Sequence, residues 1–217
     1  MVRRRTAVTL AAAAMLLASP ALTACGSGPA QPGAAAVVGG QRITVSSLQD
    51  KVNEVRAAQA ASPQAQQLIS ASGKLSTQTL SMLVQNAVIE RAAADAGVTV
   101  SDGEVQQQRA AALQQFGGNE QALDMTLLQQ YDVVPSGAES FFRTNALVGK
   151  LIMSLGFQPG SDGGQTAVVN AISRTADHLG VKINPRYGTW DSKKAIIGDA
   201  ADPWVVTRTP GTVAPAA

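Results

Sequence analysis

Between residues 36 and 197, apolar positions alternate with polar ones in short arms at both ends and recur at helical spacing in between. Ala36-Val37-Val38 and Arg42-Ile43-Thr44 flank Gly39-Gly40, and two glycines between apolar arms predict a tight hairpin. Leu48, Val52 and Val55 fall at i, i+4, i+7 and predict a helix over 46–61, ended by Ser62-Pro63. A wider stripe of Leu80, Leu83, Val84, Ala87 and Val88 predicts a central helix over 76–96, closed by Gly97 with Val98 against it. Ser101-Asp102-Gly103-Glu104 is a capping box, with Val100 and Val105 as its hydrophobic staple. That helix should bury Val105, Ala112 and Phe116 and stop at Gly117-Gly118.

Asn119 can cap a short helix carrying Leu123, Leu127 and Tyr131. Pro135-Ser136-Gly137-Ala138-Glu139 repeats the capping pattern and opens a long helix, with Phe141, Val148, Leu151, Ile152 and Leu155 inward. Residues 156–164 read as a break rich in Gly, Ser, Asp and Pro. A sixth helix follows through Val168, Ala171, Ile172, Thr175 and Leu179, and Gly180 ends it. Val181 and Ile183 then alternate like a strand, and residues 184–191 turn and run on extended. A lone hairpin is marginal in water, and this last strand has no local partner. The two are expected to pair. The fold class is mainly α: a helical domain of about six helices, with a small β element pairing the N-terminal hairpin with a C-terminal strand.

The chain's first residues follow a different pattern. Arg3, Arg4 and Arg5 precede an apolar run over 7–17, then Ser19-Pro20 and small residues. This is the layout of a secretory signal peptide over 1–24. The run is about half of the ~20 residues a spanning helix needs. Leu22-Thr23-Ala24-Cys25 resembles the lipobox of bacterial lipoproteins, which implies cleavage before Cys25 and a diacylglyceryl thioether on its sulfur. Cys25 is the only cysteine, so no intramolecular disulfide competes for it. Residues 25–35 carry no charge and suit a flexible tether. Residues 198–217 are rich in Pro, Thr, Ala and Gly and predict a disordered tail, with Trp204-Val205-Val206 as a hook back onto the domain. Losing the three arginines takes the formal charge from +2 to −1. No basic stretch suits nucleic acid, and none suits lipid headgroups. The expected location is extracytoplasmic, at a membrane surface.

Candidate chemistry is sparse. His178 is the only histidine, on the last turn of a helix, where interaction with the helix dipole explains it. Without neighbours it makes neither a metal site nor a catalytic set. Gly97 and Gly103 lack a phosphate-loop lysine, and the capping box explains Ser101, Asp102 and Glu104 better than a metal cluster does. No catalytic, metal or cofactor residue is therefore assigned. Of Phe141 and Phe142, one ring must be core while the other points about 100° away on the helix. The second ring either packs on another helix or meets a partner. Met82, Met125 and Met153 suit core filling or an adaptable binding surface alike.

Three segments in order resemble the amino-terminal chaperone domain of the SurA and PrsA group of exported peptidyl-prolyl isomerases. They are Val37-Val38-Gly39-Gly40-Gln41-Arg42-Ile43-Thr44, Ala96-Gly97-Val98-Thr99-Val100-Ser101-Asp102-Gly103-Glu104-Val105, and Asn184-Pro185-Arg186-Tyr187-Gly188-Thr189-Trp190-Asp191. The resemblance spans residues 36–197. Enzymes of the group carry a parvulin domain of about a hundred residues before the closing strand, whereas here only residues 156–180 fill that interval. The resemblance thus implies the polypeptide-binding half without its enzyme. Three functions stay open: a lipid-anchored holdase for unfolded exported proteins, a scaffold lipoprotein for one envelope partner, and a peptidyl-prolyl isomerase. The first two would use a groove between helices, with Phe141 and Phe142 as candidate client contacts.

Overall fold

In a computed structural model the described residues are 32–198 of the 217. The expected signal peptide, Cys25 with most of its tether, and the tail from 199 onward lie outside them. The hairpin is β1 (Ala34–Val38) and β2 (Gln41–Thr44), turning on Gly39 and Gly40 at φ 56° and 83°. Those positive angles suit glycine alone without penalty. Strand β1 begins two residues before the expected boundary, and Ala34 and Ala35 are fully buried. Strand structure therefore reaches two residues into the stretch expected to be a tether. Seven helices follow: α1 (Val45–Ala61), α2 (Ala65–Ala71), α3 (Leu75–Asp95), α4 (Asp102–Gln115), α5 (Glu120–Tyr131), α6 (Ala138–Ser154) and α7 (Asp162–Leu179).

The two ends of the domain meet as the unpaired strands required. β3 (Lys182–Ile183) runs antiparallel to β1, with Ala36 opposite Ile183, giving the order β2-β1-β3. Asn184 extends the seam: its backbone N–H donates to Ala35 O at 2.9 Å and its side-chain amide to Ala34 O at 3.1 Å. The rest of the closing segment turns as expected, but its extended part does not join the hairpin. A 3-10 turn at Pro185–Tyr187 intervenes, and β4 (Thr189–Asp191) pairs instead with β5 (Ile196–Gly198). Gly188 permits this turn. Its φ is 120°, and a Cβ there would lie 2.1 Å from Gly198 O.

Helix α3 is the hub. It packs against α1, α6, α7, β1 and β5, and buries Leu75, Thr79, Leu80, Val84, Val88, Ile89, Ala92 and Ala93. A second, smaller cluster joins Val105 of α4, Leu123 and Leu127 of α5, Val133, Ala138 and Phe142. The capping box forms as read: Ser101 Oγ accepts from Glu104 N–H, and Glu104 Oε2 accepts from Ser101 N–H at 2.8 Å. Glu104 also binds Lys150 at 2.6 Å, which with the cap holds its carboxyl down to about 2.

Four local readings need correcting. Helix α2 was not foreseen, because Leu68 and Ile69 are its only large apolar residues and no residue of it is buried. The second capping box does not form: α6 starts from Gly137 without a side-chain cap, while Ser136 Oγ donates to Glu54 at 3.3 Å and Glu139 pairs with Arg143. The inner face of α6 is Phe142, Ala146, Leu147, Leu151 and Ile152, which turns Phe141 and Val148 to a flank. In α4 only Val105 is buried, with Ala112 and Phe116 half-buried.

Candidate functional site

That flank of α6 faces a groove of about 420 Å³, inside the ~300–1,000 Å³ range of ligand sites. Its walls are α1 (Lys51, Glu54, Val55), α3 (Thr79, Met82, Leu83, Asn86, Ile89) and α6 (Phe141, Thr144, Val148), and residues 131–137 close one end. Val55, Ile89 and Val134 belong to the main core, and Val133 to the second cluster. The groove thus lies at the seam of the two clusters, where apolar side chains of both reach the surface together.

The end wall follows from how α5 stops. Asp132 caps it in the left-handed region at φ 53°, an unusual place for a non-glycine, and its N–H reaches Leu127 O and Leu128 O. Val133 N–H then donates to Leu127 O at 3.2 Å. This reversal throws Tyr131 outward and Val133 and Val134 inward. The α5 stripe had been expected to bury Tyr131, but Leu128 takes the inner place and Tyr131 stays 52 % exposed. Its ring lies 5.0 Å from that of Phe141, which meets Phe142 edge-on at 5.5 Å. The three rings step from buried Phe142 through half-buried Phe141 to exposed Tyr131. Such tilted pairs contribute about 0.5–1.5 kcal/mol beyond their buried area.

A polar chain braces the same end. Gln59, only 1 % exposed, donates from Nε2 to Asp132 Oδ1 at 3.3 Å and accepts from Ser72 Oγ at 3.3 Å. Arg56 donates to Ser72 Oγ at 2.8 Å and to Ser72 O at 3.0 Å. This ties α1, the loop before α3 and the end of α5 together. Burial raises the Asp132 carboxyl above its ordinary value, opposed by the Gln59 bond and the Arg56 charge. A carboxyl raised in the folded state costs stability while ionised, and that cost fades as pH falls through its folded value toward the unfolded ~3.9. Asp132→Asn keeps the acceptor and suits the left-handed backbone. It should raise the melting temperature at pH 7, and the gain should shrink toward zero near pH 4. An equal gain at both pH values would contradict this.

Of the sequence candidates, Phe141 and Met82 line the groove together. Phe142 is 5 % exposed and serves the core. Met125 accepts a contact from Ser62 Oγ at 3.5 Å, and Met153 is exposed away from the groove. His178 is exposed beside Arg91 and Asp95, which bind each other at 2.7 Å. Thr79, Tyr131 and Asp132 are groove residues the sequence did not single out. Two hints existed: Leu127 and Leu128 are adjacent and both apolar, each burying in a different cluster, and an acid follows directly where the helix ends. Cys25 lies outside the described residues. No helix among the described residues is long and apolar enough to cross a membrane.

A family model described as SurA-like N-terminal domain matches residues 1–131, more than half of the chain. Its match ends at Tyr131, the last residue of α5, so α6 contributes a groove wall from beyond it. Comparison with curated proteins and with solved structures finds no match.

Proposed function

Because the chain belongs to the SurA-like N-terminal domain family, a chaperone-related one, we propose that it is a lipid-anchored holdase for exported polypeptides. The observation that carries this reading is the groove. Its open, largely apolar wall, with the tilted ring pair of Phe141 and Tyr131 at one end, suits an extended segment bearing apolar or aromatic side chains. Apolar surface gathered in one place marks interaction sites in soluble domains. Lipid on Cys25 would keep this surface next to polypeptides emerging across the membrane. Two acyl chains are enough for stable attachment where one is marginal.

The role proposed is binding without catalysis. The acid beside His178, Asp95, is held by Arg91 at 2.7 Å, and prolyl isomerisation on a short peptide should run at its uncatalysed rate. Client binding should be weak and broad, with a micromolar Kd, about −8 kcal/mol. It should change little with salt, since the formal charge without the first 24 residues is −1.

The test is suppression of aggregation of an unrelated unfolding protein at near-stoichiometric ratio. Suppression is expected from the parent chain and about tenfold weaker from Phe141→Ser, with the domain still folded. No suppression, with one stoichiometric envelope partner recovered from membranes, would favour the scaffold reading instead.

A further inference from the structure

Thr79 sits in the groove wall at 3 % exposure, and its Oγ1 is buried without a hydrogen-bond partner. An unpaired buried hydroxyl costs about 1–3 kcal/mol. A ligand N–H delivered into the groove would satisfy it.

The described chain ends beside this groove. Strand β5 lies on α3, where Ser81 Oγ accepts from Ile197 N–H at 3.2 Å and Gln85 Nε2 donates to Ala195 O at 2.6 Å. Gln85 also lines the groove, and so does Met82, next to Ser81. On the helical wheel Gln78 falls between Ser81 and Met82, and Gln78 is exposed, so that side of α3 is open. Six residues beyond Gly198 stands Trp204, the one aromatic residue of 199–217, followed by Val205 and Val206. Six residues reach about 20 Å when extended. A path round half of a helix 10–12 Å across is under about 20 Å.

We infer that Trp204-Val205-Val206 docks in the groove of its own chain as a tethered occupant that clients must displace. This rests on the groove being a binding site. The indole supplies a flat apolar face for Phe141 and Tyr131 and a donor N–H for Thr79 Oγ1. Val205 and Val206 add apolar surface toward Met82. A tether this short gives an effective concentration on the order of mM. A segment that would bind only weakly as a free peptide then fills a large share of grooves, and client affinity falls by the unfilled fraction. Clients with longer apolar runs would displace it, so the tail sets a threshold for capture.

The test reads Trp204 directly. Subtracting the fluorescence spectrum of Trp204→Phe from that of the parent chain isolates Trp204 from Trp190 without touching the folded domain. The expected difference spectrum is blue-shifted from free indole and poorly quenched by acrylamide. It should turn red and quenchable in Tyr131→Ser, and partly so in Thr79→Val, which keeps the shape and removes the acceptor. Ending the chain after Gly198 should raise affinity for an unfolded client two- to tenfold. A red, fully quenchable Trp204 in the parent overturns the inference even if clients bind. A blue shift that appears only at high protein concentration also overturns it, because a second copy's tail is then the occupant. A buried Trp204 with no client binding upholds the docking and removes the holdase reading.

Discussion

Phe142→Ala should destabilise the domain by about 3–5 kcal/mol, the usual loss when a buried phenylalanine is truncated, while Phe141→Ser one position earlier should leave it folded. Phe142 is 5 % exposed and joins Val105, Leu123, Leu127, Val133 and Ala138, so its ring links α4, α5 and α6. That cluster has six buried residues among the described ones, and Phe142 is its only buried aromatic ring. Its loss should free α4 and α5 before the main core around α3 opens. Phe141 is half-buried and meets Tyr131 and Phe142 on the groove side, so its removal subtracts contact area rather than opening the interior. Denaturant midpoints check the difference, and hydrogen exchange in α4 and α5 locates it. Equal losses for the two variants would contradict the assignment of Phe142 to core and Phe141 to groove.

Cys25→Ser should move the protein from the membrane fraction to the soluble fraction, or leave uncleaved precursor. The proposed anchor is a pair of acyl chains, each buried CH₂ contributing about 0.8 kcal/mol. Little else in the chain would hold it there. After loss of Arg3, Arg4 and Arg5 the formal charge is −1, with no polybasic run for anionic headgroups. A thioether needs the sulfur, and a serine hydroxyl does not substitute for it. Mass spectrometry of the parent's mature amino terminus gives the complementary reading: a diacylglyceryl group on Cys25 is expected. An unmodified Cys25 would end the lipoprotein proposal, while the groove would stand unaffected.

Which features were legible in sequence follows from how local their causes are. The capping box at Ser101 and Glu104 and the Gly39-Gly40 turn depend on four or fewer neighbouring residues, and both formed as read. The pairing of hairpin and closing strand was legible for another reason, since backbone groups with no local partner must find a distant one. Helix α2 was hidden because helix formation in a short polar segment rests on tertiary support, which leaves no periodic trace. At Pro135 the sequence imitates a cap, but Ser136 is drawn to Glu54 across the groove mouth.

The groove itself was foreseen only as a groove between helices. Its aromatic member was narrowed to Phe141 and Phe142, and a one-position rotation of α6 decides between them. Tyr131 was read as part of the α5 stripe and Asp132 was not read at all, because their roles depend on the left-handed stop at Asp132 and the buried Gln59 behind it, a contact 73 residues apart. Thr79 looked like one polar residue among many near the start of α3. Its significance lies in what it does not bond to, which only packing reveals.

The central claim is that polypeptide clients bind in the groove between α1, α3 and α6. The most direct measurement places a photo-crosslinking amino acid at Tyr131 on the groove rim and, separately, at Met153, which is 55 % exposed elsewhere. Each protein is mixed with a purified, chemically unfolded client and illuminated. Strong crosslinking from position 131, competed by unlabelled apolar peptide and reduced by Phe141→Ser, is the expected result, with only background from position 153. Equal crosslinking at both positions, or none above background at 131 while aggregation is still suppressed, would place binding elsewhere and contradict the claim.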